Sequence, residues 1–269
     1  METIALGSWN DLKVEIEGFA GDTRGLTRES HTGTRYIALY RGLANSEWEL
    51  STTLERSGRR STAIAEYHRI VVAVHRLLGN VDQPRLPIQE DLDFAGDIAE
   101  KMVTNYGFWA YLRHHGFPSP LLDWSQSPYV AAYFAFADKA PKSERVAIFC
   151  YRRMLIHRDE AASREQGIIE TFGPWEAVDK RHMLQQSHYS FCWRWESRVG
   201  AVFYNHESVA GGSNGSVHHI VKYTLPVSER SKALEDLFQM NITPYSLFGT
   251  EDSLVATAAW RTIDAIGEQ

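Results

Sequence analysis

Two short stretches of this chain carry residue types able to hold an anion. Arg41 ends the β-prone run Arg35-Tyr-Ile-Ala-Leu-Tyr40 and is followed by Gly42. An arginine there can project its guanidinium fork into a cleft, while a glycine lets a ligand approach the backbone. Ser125-Gln126-Ser127 stands where a short apolar strand gives way to a helix opening on Pro128. Hydroxyls and unpaired backbone N–H groups at a helix N-terminus favour negative charge. Together they predict an Arg-then-Ser site for a phosphorylated small molecule within residues 36–135. Each also has a plainer reading. A lone arginine at a strand end is more often the partner of a core carboxylate, and Ser127 before Pro128 would cap the helix in any case.

Other residues are candidates to join them. Asp123, within Leu121-Leu-Asp-Trp124, is a carboxylate among apolar neighbours and needs a partner there. It either fixes an arginine such as Arg41 or caps local backbone. His114 and His115 are adjacent, but no carboxylate or third imidazole lies at useful spacing, so no metal site is expected. A hydrogen-bonding role for His114 near the site fits better. Arg181-His-Met-Leu-Gln-Gln-Ser187 precedes a strand, so one of Gln185 and Gln186 should face inward. A glutamine donates and accepts, which suits a ribose or a carboxamide; a polar loop end is the plainer alternative. Trp175, Trp193 and Trp195 could stack on a base or pack in a core. Phosphate-binding glycine loops, the dinucleotide glycine fingerprint and the Gly-x-Ser-x-Gly elbow are absent from the sequence.

The elements that must position these residues read as α+β. Strands are expected at Leu12–Ile16, Arg35–Tyr40, Leu121–Asp123, Arg145–Tyr151, Tyr189–Trp195, Val199–Tyr204 and Val217–Leu225. Helices are expected at Ser61–Leu78, Glu90–Tyr106, Phe108–His115, Pro128–Ala137, Glu229–Met240 and Asp252–Ile266, with a flexible hairpin loop at Gly211–Ser216. Helices early and strands late favour α+β over a doubly wound sheet. The 269 residues suit a single domain with an N-terminal extension (1–35), a core (36–225) and C-terminal helices (226–269). A formal charge of −6 argues against a protein that coats nucleic acid, though Arg59-Arg60 or Arg152-Arg153 could serve a local cleft. Cys150 and Cys192 sit among apolar residues and read as small buried hydrophobes rather than a disulfide. With no secretory signal and no apolar run near about 18 residues, the expected location is cytoplasmic.

Tyr40-Arg-Gly-Leu-Ala-Asn-Ser-Glu-Trp-Glu-Leu-Ser-Thr-Thr-Leu-Glu-Arg56 and His114-His-Gly-Phe-Pro-Ser-Pro-Leu-Leu-Asp-Trp-Ser-Gln-Ser-Pro-Tyr-Val-Ala-Ala-Tyr-Phe-Ala135 resemble the FRG domain, with Tyr40 in place of phenylalanine. Arg181–Phe191 and Asn241–Gly249 resemble its later segments, with Ser187 for a glycine and Gly249 for a proline. The motif order is in turn similar to that of ADP-ribosyltransferases of the Arg-Ser-Glu type. That resemblance implies a split β-sheet core with inserted and C-terminal helices, and NAD as co-substrate. It implies that Arg41 clamps the pyrophosphate, with Gly42 and His114 beside the co-substrate, and that Ser125 and Ser127 support the nicotinamide side. Gln185 would stand at the third position, where the enzymes use glutamate to hold the ribose and stabilise the positive charge that develops as nicotinamide leaves. Glutamine keeps the hydrogen bond without the charge. Gln186, Glu196 and Glu251 are the alternatives. The function implied is transfer to RNA, DNA or protein by a toxin or anti-phage effector, with an antitoxin as a further partner. A non-catalytic nucleotide- or partner-binding module, or an NAD hydrolase, would use the same cleft.

Overall fold

The computed structural model describes residues 1–20, 27–29, 35–79, 86–94, 98–138, 143–154, 164–173, 180–210 and 218–264. In chain order the elements are β1 (Glu2–Ala5), α1 (Trp9–Ala20), β2 (Thr27–Glu29), β3 (Arg35–Leu43), α2 (Thr53–Arg56), α3 (Ile64–Leu78), α4 (Ile98–Thr104) and α5 (Tyr106–His114). There follow β4 (Leu122–Ser125), α6 (Pro128–Phe136), β5 (Arg145–Met154), β6 (Ile168–Phe172), α7 (Lys180–Leu184), β7 (Ser187–Glu196), β8 (Gly200–Phe203) and α8 (His206–Ala210). The chain closes with β9 (His218–Pro226), α9 (Arg230–Gln239), α10 (Pro244–Phe248) and α11 (Glu251–Ala259), which a π-helical turn extends over Trp260–Asp264. The fold is therefore mixed α+β, and among the described residues no helix is long and apolar enough to cross a membrane.

Nine strands among the described residues form one sheet in the order β1-β9-β5-β3-β4-β7-β6, with β2 beside β3 and β8 beside β7. The β3–β5 ladder is long, from Tyr36 opposite Met154 to Leu43 opposite Ala147. β4 is short. It meets β3 through Tyr40 opposite Ser125, and it lies along β7 from Leu122 opposite Ser190 to Ser125 opposite Ser187. The two wings of the sheet thus join at β4, beside Arg41.

Each wing has its own apolar packing. On one, α1, α6 and α9 bury Trp9, Val130, Phe136 and Leu237 with Tyr40, Ile148 and Tyr223 of the sheet. On the other, α3, α4 and α5 bury Tyr67, Met102 and Trp109 against Phe191, Trp193 and Phe203. Cys150 and Cys192 are buried thiols outside any disulfide, Cys150 in the first of these clusters and Cys192 in a third with Trp124 and Phe149, as their apolar neighbours imply.

α6 is apolar all round, as a helix buried on several sides must be. Ser127 caps it by accepting a hydrogen bond from Val130 N at 3.3 Å, and Pro128 takes the first turn. The helix lies directly on β3. A Cβ at Gly42 would sit 1.8 Å from the Ala131 carbonyl oxygen and 2.7 Å from Ala135 N. The side of Gly42 on which a Cβ would stand is taken by the helix backbone, while Gly42 also lines the cavity described below.

Several sequence expectations give way here. Leu12–Ile16 is part of helix α1, not a strand: Trp9, Leu12 and Ile16 are buried at helical spacing while Val14 is exposed. The helix expected from Glu90 begins at Ile98 among the described residues. The loop Gly211–Ser216 lies outside the described residues. It does not close a hairpin, because α8 follows β8, and β9 pairs with β1 and β5 instead. The segment expected as an extension supplies β1, paired in parallel with β9, and α1, whose Trp9 Nε1 donates to Asp236 of α9 at 2.8 Å.

The Gly42 contact is with backbone that cannot step aside alone. Gly42→Ala is expected to destabilise the protein by about 1–3 kcal/mol through overpacking, read as a lower midpoint in urea unfolding.

Candidate functional site

The junction of β3, β4 and α6 opens into a cavity of about 490 Å³ whose walls include Arg41, Asp123, Ser125, Gln185, Trp48 and Phe134. Arg41 Nη1 reaches Asp123 Oδ2 at 2.9 Å and donates to the Asp123 carbonyl at 2.7 Å. Arg113, at the end of α5, donates from Nη2 to Asp123 Oδ1 at 2.6 Å. Of the two sequence alternatives for Asp123, the structure takes the first: it fixes Arg41, and it fixes Arg113 as well. Its side chain is 48 % exposed, against 12 % for Arg41 and 19 % for Arg113, so the carboxylate faces the cavity from between two largely covered cations. Burial pushes the Asp123 carboxyl up, but the Arg41 and Arg113 guanidiniums outweigh it and hold the group well below the usual carboxylate range.

A third guanidinium is close. Arg56 is held below its ordinary value by burial first, then by the repulsion of Arg41 and Arg113, while Asp123 and Glu55 pull the other way. Arg56 and Arg113 stand behind the lining, whose own charged residues are Arg41, Asp123 and Asp138. Arg113 Nε is also buried with no hydrogen-bond partner among the described residues. The arrangement favours an anion.

The serines divide. Ser125 lines the cavity, donating to the Gln185 carbonyl at 2.8 Å and accepting from Ser127 N at 3.0 Å. Ser127 is the cap of α6 and is not among the lining residues. Gln126 is tied by its side-chain amide to His188 Nε2 and by its backbone N to the Gln186 carbonyl. Gln186 has a positive φ of 49°, which ends α7 and starts β7. That turn leaves Gln186 exposed and brings Gln185 to the cavity, where its Nε2 donates to the Leu247 carbonyl at 3.1 Å.

Other sequence candidates lie elsewhere. His114 forms a cluster with His182 (Nε2 to Nε2, 3.0 Å) and Tyr189 (2.6 Å), outside the cavity lining. Glu196 is paired with Arg194 at 2.6 Å, nine residues along β7 from Ser187 and so about 30 Å away. Glu251 is exposed in the first turn of α11 and does not line the cavity. Trp193 is core, Trp195 packs partly against the same cluster, and Trp175 lies outside the described residues. Sequence reasoning missed Arg113, whose neighbours His114 and His115 drew the attention, along with Arg56 and Trp48. A single carboxylate flanked by two β-strand apolar residues was the available signal that more than one cation must meet it.

Two pH dependences follow. Burial pushes His188 down to about 4, and His206 and His218 down to about 3. Each stays neutral when folded and takes a proton when unfolded, so its contribution is full above about pH 6.5 and fades as the pH falls below that. Stability is expected to drop from pH 6.5 to pH 4, with unfolding taking up about three protons in that range, measured by urea unfolding at a series of pH values. The Asp123 contribution, from a depressed value, is full above about pH 4 and lost below it. Asp123→Asn is therefore expected to cost about 2 kcal/mol at pH 7, less than the roughly 3–5 of a fully buried pair because water reaches the carboxylate. The deficit should vanish on acidification below pH 4.

A family model for the FRG domain matches residues 36–144. The matched segment contains Arg41, Arg56, Arg113, Asp123, Ser125 and Ser127, whereas Gln185 and the C-terminal helices lie beyond it. No curated protein and no solved structure matches the chain. The strand that bears Arg41, the helix that bears Arg113 and the Asp123 that joins them all fall within one segment, residues 36–144, that matches the FRG domain.

Proposed function

We propose that this cavity binds NAD and that the protein transfers ADP-ribose from it to a macromolecule. The observation that carries the reading is Arg41 at the end of β3, fixed on Asp123 and facing Ser125 and Gln185 across one cavity. The residues fit such a ligand in two respects. A volume of about 490 Å³ is in the range of ligand pockets, and Arg41 on its lining, with Arg56 and Arg113 close behind, suits a pyrophosphate. A sheet whose wings meet at β4 is compatible with the split core of the Arg-Ser-Glu transferases.

When bound, NAD supplies a glycosidic bond whose cleavage releases nicotinamide and leaves the ribose carbon open to an acceptor nucleophile. The chain's part is electrostatic and positional. Arg41 orients and neutralises phosphate oxygens, and Asp123 holds the guanidinium in place beforehand, so little ordering is left for the moment of binding. The Gln185 amide nitrogen is held by Leu247, which directs its carbonyl as an acceptor for a ribose hydroxyl. Gln185 brings no charge, and the carboxylates on the lining are Asp123 and Asp138.

One observation favours a second reading, a binding module without turnover: the third position is a glutamine, and both Asp123 oxygens already serve arginines. Incubation with NAD labelled in the adenylate phosphate, together with total RNA, single-stranded DNA or cell lysate, separates the two. Transfer of label with release of nicotinamide is expected, falling roughly a hundredfold in Arg41→Ala as charge-assisted bonds are lost. Saturable binding without nicotinamide release would establish the binding module. Free ADP-ribose with no labelled macromolecule would establish a hydrolase.

A further inference from the structure

A second cavity, of about 450 Å³, lies among α6, α7, α9, α10 and α11. Its walls include two guanidiniums, Arg181 and Arg230, and the rings of Phe238, Phe248 and Trp260. The Arg181 guanidinium stands 6.0 Å from the centre of the Phe248 ring. Arg230 is anchored by Nε at 3.0 and 3.1 Å to the carbonyls of Phe136 and Asp138, at the negative end of α6. Phe238 and Trp260 stack with ring centres 3.5 Å apart. Asp252, exposed, is the carboxylate on this wall, so cations exceed anions two to one. The two cavities are neighbours. Ala137 lines both, and Phe134 of the first meets Phe248 of the second edge-to-face at 6.0 Å.

We propose that this second cavity holds one nucleotide of a single-stranded nucleic acid, its base on the aromatic wall and its phosphate at Arg181 and Arg230. Flat apolar faces beside guanidiniums are what a base and its phosphate require, and stacking serves any base. A single-nucleotide pocket also suits a chain of net charge −6, which is poorly made for long phosphate contacts. Its role as the acceptor subsite, reached past Ala137, rests on the reading of the first cavity; its binding of a strand does not.

The test is fluorescence anisotropy with labelled single-stranded RNA and DNA oligonucleotides of one sequence, without NAD. Saturable binding of at least one is expected, weakened about tenfold by Arg181→Gln and by Trp260→Ala. Two variants at separate points of the wall, each checked by its unfolding midpoint, keep a folding defect from deciding the result. Absence of saturable binding, equal binding by wild type and both variants, or equal displacement by poly-glutamate would overturn the proposal. Oligonucleotide binding that survives while no label is ever transferred from NAD would sink the transferase reading alone.

Discussion

Asp123 stands between Arg41 and Arg113, and the arrangement of the molecule turns on that ion cluster. The three residues come from the end of β3, the end of α5 and the middle of β4. β4 joins the two wings of the sheet, and its bond to β3 is the Tyr40–Ser125 pairing next to the cluster. Where the backbone ladder is thinnest, side-chain charge supplies the connection. A carboxylate shared by two guanidiniums resists protonation and rotation alike, and its partial exposure spares the protein most of the desolvation that a sealed pair would cost.

That cluster also sets the character of the cavity. An arginine already committed to a carboxylate is oriented but partly neutralised, so an incoming anion meets a site of modest net charge rather than a bare cation. Arg56 and the unpartnered Arg113 Nε restore some of the lost attraction. Opposite them, the Gln185 amide is fastened to Leu247, so the C-terminal helices form part of the site's wall. α6 closes it from the third side, its backbone pressed directly onto Gly42.

The core of this layout was legible in the sequence where the signal was local. The β-prone run before Arg41, the Ser-x-Ser-Pro at the start of α6 and the need of Asp123 for a cation all took their expected places. The errors lay where tertiary contacts decide. Leu12, Val14 and Ile16 alternate like a strand, but Trp9, three residues before Leu12, completes a helical stripe that the sheet edge and α9 bury. Gly42 signalled close backbone approach, and α6 makes that approach although Gly42 also borders the cavity. Arg113 and Arg56 could not be assigned to the cluster, because ten and sixty-seven residues separate them from Asp123 and nothing in spacing announces such meetings. His114 was separated from its neighbour's role in the same way, since helix geometry sends adjacent side chains about 100° apart.

The pairing of β1 with β9 couples the two ends of the chain in time as well as in space. Glu2 lies opposite Val221, and Trp9 reaches Asp236, so β1 and α1 have no partner there until β9 and α9, more than two hundred residues later in the chain, have been made. A contact of such long range is entropically late. During synthesis the apolar faces of β1 and α1 stay without their native cover, and the β5 edge that β9 will occupy stays open. Closure of the sheet at β1 is therefore a late step, and the junction that holds Asp123 can assemble before it.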